Sequence, residues 1–165
     1  MSRIGKFADL NWRERAMLLQ SLLLLPVSGL GVKLLGVRRF RNALSKLTWD
    51  KKEPSANLLL TSAPSVAALA DKTQTARKIA RLVRAAANHG LYPANCLEQS
   101  LVLWFMLERH GLESKIRFGA RKENDQMLAH AWIECEGIAL NEDRGVEQRY
   151  APFAVAASGT PVKSR

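Results

Sequence analysis

Apolar residues recur with helical spacing over the first two thirds of this chain and with strand spacing after that. From Trp12 the run through Leu18 and Leu19 to Leu25 predicts a helix, with Asn11 and Glu14 at cap-and-carboxylate spacing before it and Pro26 to stop or kink it. Residues 30–47 read as further helix, with Arg38, Arg39 and Arg41 exposed. Asp71 and Gln74 mark the next start, and Ala76, Ile79, Ala80, Val83, Ala86 and Ala87 form the i, i+3, i+4, i+7 stripe of a half-buried helix. A further helix, around 101–107, is apolar on every side, so it belongs at the centre of the fold; Gly111 ends it. Period two then takes over. Residues 115–120 read as a strand, 121–126 as a polar hairpin loop, 127–135 as a second strand, Glu136-Gly137 as a tight turn and 138–141 as a further strand.

These elements predict an α+β fold divided into a helical N-terminal region at 1–62, packed on the core, a catalytic-looking core at 63–153 and a loose tail at 154–165. The polar, proline-containing link at 49–64 is the one candidate hinge. A chain of 165 residues that is 47% hydrophobic and 24% charged suffices for one domain with a real core. Cys96 and Cys135, its two cysteines, make neither a disulfide framework nor a metal-ligand spacing, and Cys135 reads as packing or semi-exposed; no glycine-rich phosphate loop is present, so neither cofactor nor metal is expected.

Charge changes the picture. Residues 1–95 carry 16 Lys and Arg against 5 acids, or +11, and residues 96–165 carry 9 against 10, or −1, which together give the net +10. A basic front half favours an acidic partner, a nucleic acid or an anionic membrane. Arg77, Arg81 and Arg84 share one helical face, yet without interleaved exposed aromatics or a nucleic-acid motif, so nucleic acid is not expected. The apolar run 16–25 contains Gln20 and Ser21 and falls far short of the ~20 residues of a span. With Asp9 and Glu14 diluting the basic lead, it predicts a core or membrane-surface helix rather than a signal peptide, and a cytoplasmic protein.

The chemistry gathers before the apolar helix, at Tyr92-Pro93-Ala94-Asn95-Cys96-Leu97-Glu98. Asn95 is a good N-cap and Glu98 completes a capping box, which puts Cys96 at the first helical position. A thiolate there meets unpaired backbone N–H groups and the positive end of the helix dipole. Most cysteines are inert packing, so the partner decides. His89 and His110 precede Gly90 and Gly111 and are explained as helix-end residues. His130 lies inside a strand where no cap or turn accounts for it, although a satisfied strand histidine would look the same.

Asn95-Cys96-Leu97-x-x-Ser100-Leu101-x-Leu103-Trp104 resembles the leader peptidases of lasso peptide biosynthesis, a transglutaminase-like family. So do Gly111-Leu112, Arg117-Phe118-Gly119-Ala120-Arg121-Lys122, Ala129-His130-Ala131-Trp132-Ile133-Glu134 and Arg149-Tyr150-Ala151-Pro152-Phe153. The likeness is strong over about residues 90–153 and resembles the protease half of a split enzyme. It implies a papain-like or transglutaminase-like fold with a Cys-His-acid triad. Cys96 and His130 match the motif directly. Glu142 aligns with the acid, replacing aspartate, with Asn141 and Asp143 as alternatives. The resemblance further implies a precursor peptide as substrate and a small leader-binding protein as partner; the macrolactam synthetase is a further partner to consider.

In the expected reaction His130 takes the thiol proton and returns it to the leaving amine, and the Cys96 N–H donates to the oxyanion, with Gln99 a candidate second donor. Two other readings stand beside it: another transglutaminase-like acyltransferase or amidase, and a basic binding module without catalysis. Arg77, Arg81 and Arg84 are the expected docking face for the partner, with peripheral membrane contact as the competing use of the basic front half.

Overall fold

The computed structural model describes residues 11–49, 66–142 and 145–153. The basic lead, the link with its predicted boundary at 62/63, Asp143 and the tail at 154–165 lie outside the described residues. Helix α1 spans Trp12–Trp49, α2 Val66–His89 and α3 Cys96–Arg109; strands β1, Lys115–Glu123, β2, Gln126–Cys135, and β3, Ile138–Ala139, follow, then the short helix α4, Val146–Arg149, and strand β4, Ala151–Pro152.

Helix α1 departs from expectation. Pro26 sits inside it without ending it, and the break comes at Gly36, with φ 74° and ψ 159°. Proline removes one N–H and crowds one carbonyl, which a long packed helix absorbs. The Gly36 conformation is one that residues with a side chain rarely adopt. The break turns the chain back, since a Cβ on Gly31 would overlap the Phe40 ring, whereas a straight helix would hold these residues about 13 Å apart along its axis. Helix α2 also starts earlier than the Asp71 signal, at Val66, because Ala67-Ala68-Leu69-Ala70 are strong helix formers that extend it backwards.

The centre is α3. Leu101, Leu103, Met106 and Leu107 are fully buried, and they share one cluster with Leu25, Phe40 and Leu44 of α1, Ala76, Ile79, Val83 and Ala86 of α2, and Ile133 and Cys135 of β2. The Ser21 hydroxyl of α1 is buried here too, 2.8 Å from the Met17 carbonyl to which it donates and 3.2 Å from Met106 Sδ. At its far end α3 closes in a Schellman motif: Gly111, at φ 71°, donates to the Glu108 carbonyl and Leu112 to that of Leu107.

The sheet is antiparallel, in the order β3-β2-β1-β4. β1 runs on to Glu123, past the predicted end at residue 120, because Arg121, Lys122 and Glu123 continue to pair with Leu128, Met127 and Gln126. Asn124 and Asp125, at φ 47° and 61°, then make a two-residue turn, a geometry these side chains tolerate and one whose twist suits a hairpin. Glu136-Gly137 turns in the same way at φ 50° and 72°. β3, in contrast, is shorter than the predicted 138–141. After Leu140 donates to the Ile133 carbonyl, the Asn141 side chain takes over the main chain's role and accepts from the Ile133 N–H at 2.7 Å.

Candidate active site

Asn95, extended at φ −77° and ψ 172°, caps α3: its Oδ1 accepts from the Glu98 N–H at 2.9 Å, and Glu98 Oε2 accepts from the Asn95 N–H at 3.1 Å. Glu98 is buried, and its other carboxylate oxygen takes the Tyr92 hydroxyl at 3.1 Å. Burial and then this carboxylate push the Tyr92 phenol up. The Gln99 amide donates to the Ala94 carbonyl at 2.9 Å. Gln99, the candidate second oxyanion donor, is thus bound to the loop that precedes the helix. Cys96 stands at the first helical position, partly exposed. The amides of Cys96 and Leu97 lie before the first intrahelical bond, which runs from the Gln99 N–H to the Asn95 carbonyl.

His130 and Glu142 meet: Nε2 is 2.8 Å from Oε1, with both side chains largely covered. With Glu142 accepting from Nε2–H, the neutral imidazole presents Nδ1 as its lone-pair nitrogen. The second Glu142 oxygen lies 3.9 Å from Arg149 Nη2. Asn141, the neighbouring alternative, points elsewhere. Its Nδ2 donates to Ser100 Oγ at 3.1 Å, its Oδ1 holds Ile133, and its carbonyl accepts from Arg84. Ser100 Oγ in turn donates to the Ala131 carbonyl at 3.0 Å. These bonds fix the register of the helix tip against β2. Cys96 lies one helical turn before Ser100 on the same face, and His130 one residue before Ala131.

Tyr150 and Gly119 were given no role by sequence reasoning. The Tyr150 ring stacks on His130 with centroids 4.9 Å apart, and the Arg121 guanidinium sits 5.1 Å from the Tyr150 centroid. Trp132, two residues along the strand and fully buried, also stacks with the imidazole, with centroids 6.2 Å apart. Gly119 is paired with both His130 and Pro152, and a Cβ there would come within 3.0 Å of Tyr150 Cβ and the Ala151 carbonyl. The absent side chain lets β4 bring Tyr150 over the imidazole. Both residues fall in segments that carry the family resemblance, Gly119 in 117–122 and Tyr150 in 149–153; that the sheet brings the two segments together is invisible in one dimension.

The other candidates take different places. Cys135 is buried, and burial, followed by Glu136, pushes its thiol up. His110 Nδ1 lies 2.7 Å from the Met106 carbonyl at the helix end. Arg77 and Arg81 line an open groove of about 930 Å³ between α2 and β3 that reaches Glu142, whereas Arg84 is engaged with Asn141. Among the described residues no cluster of His, Cys, Asp and Glu could hold a metal ion.

A capped cysteine helix laid on an antiparallel sheet that bears a histidine–carboxylate pair defines an α+β domain of the papain-like, transglutaminase-like kind. The chain matches the Transglutaminase-like superfamily over residues 33–155 and belongs to it. That superfamily includes cysteine peptidases and acyltransferases and is generally catalytic. Searches among curated proteins and among solved structures found no match.

Proposed function

We propose that this protein is a cysteine peptidase that removes the leader from a lasso peptide precursor, with Cys96 as nucleophile, His130 as base and acid, and Glu142 as its orienting carboxylate. The observation that carries the reading is the His130–Glu142 pair, tied to the tip of the cysteine helix through Ser100 and Ala131. Cys96 Sγ attacks the carbonyl of the last leader residue while its proton passes to His130 Nδ1. The oxyanion is received by the Cys96 and Leu97 amides. Collapse breaks the C–N bond, and His130 protonates the departing amine. Water, deprotonated by His130, then cleaves the thioester and frees the leader acid. Throughout, Glu142 holds the Nε2 proton and offsets the charge of the imidazolium.

Support for the lasso assignment comes from the segments quoted above, Asn95–Trp104 and Ala129–Glu134 foremost. On this reading the enzyme works in the cytoplasm with a small leader-binding protein and hands its product to the macrolactam synthetase. Arg77 and Arg81, on the groove that ends at Glu142, face an acidic surface of the leader-binding partner. The test is incubation of the purified chain with precursor and leader-binding protein, followed by mass analysis. A free leader acid and a core peptide with a new amino terminus are expected. A leader joined to an added amine would assign the chain to acyl transfer, and an unprocessed precursor would leave a binding module.

A further inference from the structure

Helix α1 is apolar on two opposite faces. One face, with Leu25 buried and Met17, Leu18 and Leu22 packed against the core, covers α2 and α3. On the other, Trp12, Leu19, Leu23, Val27, Leu30 and Leu34 are each between 53% and 79% exposed. At 100° per residue these six positions fall within about 40° of one line, a straight stripe roughly 33 Å long that ends before the break at Gly36. Scattered exposed leucines are ordinary, but a continuous ridge of this length marks an interaction surface. Except for Leu34 the ridge lies outside residues 33–155, so it is not part of the superfamily match.

The charges beside the ridge identify what covers it. Arg13 lies on one flank and Arg15 and Lys33 on the other, each about 80° from its centre. Of the charged residues on α1, seven are basic and Glu14 alone is acidic; that carboxylate is engaged by Lys78 of α2 at 2.7 Å. A second copy of the chain would set these like charges against each other. A protein partner would ordinarily meet a rim of mixed polar residues and a core rich in aromatics. Aliphatic side chains between rows of long cations fit an interfacial helix, whose apolar face enters the acyl boundary while its cations reach back to the headgroups. Contrary to the expectation from the run 16–25, α1 is long and apolar enough over Trp12–Leu47 to cross a membrane by length and composition; spanning would, however, strip from α2 and α3 the opposite face that the fold packs on them.

We propose that α1 is a peripheral membrane-binding helix that lays the Trp12–Leu34 ridge onto an anionic lipid surface, with Arg13 on one flank and Lys33 on the other at the level of the phosphates. This site stands apart from the candidate catalytic residues and is independent of the substrate proposed above. It would hold the enzyme at the bilayer by one face.

The experiment is co-sedimentation of the full chain with phosphatidylcholine vesicles, with and without about one third phosphatidylglycerol, at low and high salt. Binding is expected to the anionic vesicles, weakened by salt, with a blue shift of tryptophan emission as Trp12 enters the interface. Leu23→Gln with Leu30→Gln should weaken binding by about tenfold per residue while melting as the wild type does, since neither side chain is in the core. Arg13→Gln with Lys33→Gln, which leaves the ridge intact, should lower binding to anionic vesicles and remove its salt dependence. Wild-type protein that stays in the supernatant would overturn the proposal. So would vesicle binding indifferent to the leucine pair, or a wild-type dimer that the leucine pair dissolves, which would assign the ridge to a second copy.

Discussion

Cys96→Ala and His130→Ala should each lower precursor cleavage by roughly 10³-fold or more, and the double variant should be little worse, since groups that act as one unit are strongly non-additive. Single-turnover assays of the three variants check this; an additive loss would separate the two residues. Glu142 and Asn141 are neighbours with different work. Glu142→Gln keeps the shape and removes the charge beside His130, so cleavage should fall by about 10²- to 10⁴-fold with the melting temperature nearly unchanged. Asn141→Ala unpins Ser100 and Ile133, so its first effect should be on thermal stability, about 1–3 kcal/mol. The thiols differ as well. Iodoacetamide should label partly exposed Cys96 well before Cys135, which is buried and whose thiol is pushed up. Cys135 keeps its proton in the fold where the unfolded thiol would lose it. Its contribution to stability is therefore full below the ordinary thiol range and declines as pH rises through it. Denaturant midpoints from neutral to alkaline pH should show that decline, and Cys135→Ala should lessen it.

At the scale of elements, the α3 cap joins local folding to the site. Asn95→Ala should cost about 1 kcal/mol in denaturant unfolding and let the first turn fray, moving Cys96 and both candidate oxyanion amides. Catalysis should then fall by more than the loss of folded protein explains. Glu98 joins the same cap to Tyr92, and α1 passes so close that a Cβ on Gly29 would overlap the Tyr92 hydroxyl. The sheet contributes Tyr150 through the gap left at Gly119. Glu98 at the cap and Tyr150 on the imidazole, which end these two supports, are 52 residues apart in the chain.

At the scale of the molecule, the proposed function assigns recruitment to the basic front half and chemistry to the neutral back half. Reversing charge at Arg77 and Arg81 together should slow cleavage of the full precursor in the presence of the leader-binding protein and leave Cys96 alkylation unchanged. Wild-type assembly should weaken with salt, because screening is strong beyond about 10 Å at 0.1 M. Salt-insensitive assembly, with undiminished cleavage by the reversed protein, would reduce the two arginines to an ordinary solvated face. Arg84 is left out of this variant because its bond to Asn141 supports the site.

What the sequence determined by itself was local. The capping box at Asn95 and Glu98, the all-round apolar α3, the half-buried stripe of α2 and the turn at Glu136-Gly137 each follow from residues within a turn or two of one another, where propensity, periodicity and backbone hydrogen bonding act directly. Where the local signal was weak, the boundaries moved: α1 broke at Gly36 instead of Pro26, α2 began at Val66, and β1 ran on to Glu123 because cross-strand pairing outweighed polar composition. Only the tertiary structure set the Glu142 carboxylate on His130, turned the Asn141 amide to Ser100 and Ile133, and stacked Tyr150 on the imidazole. It alone separated the two apolar faces of α1, because hydropathy reports that a side chain avoids water and not which surface removes it from water.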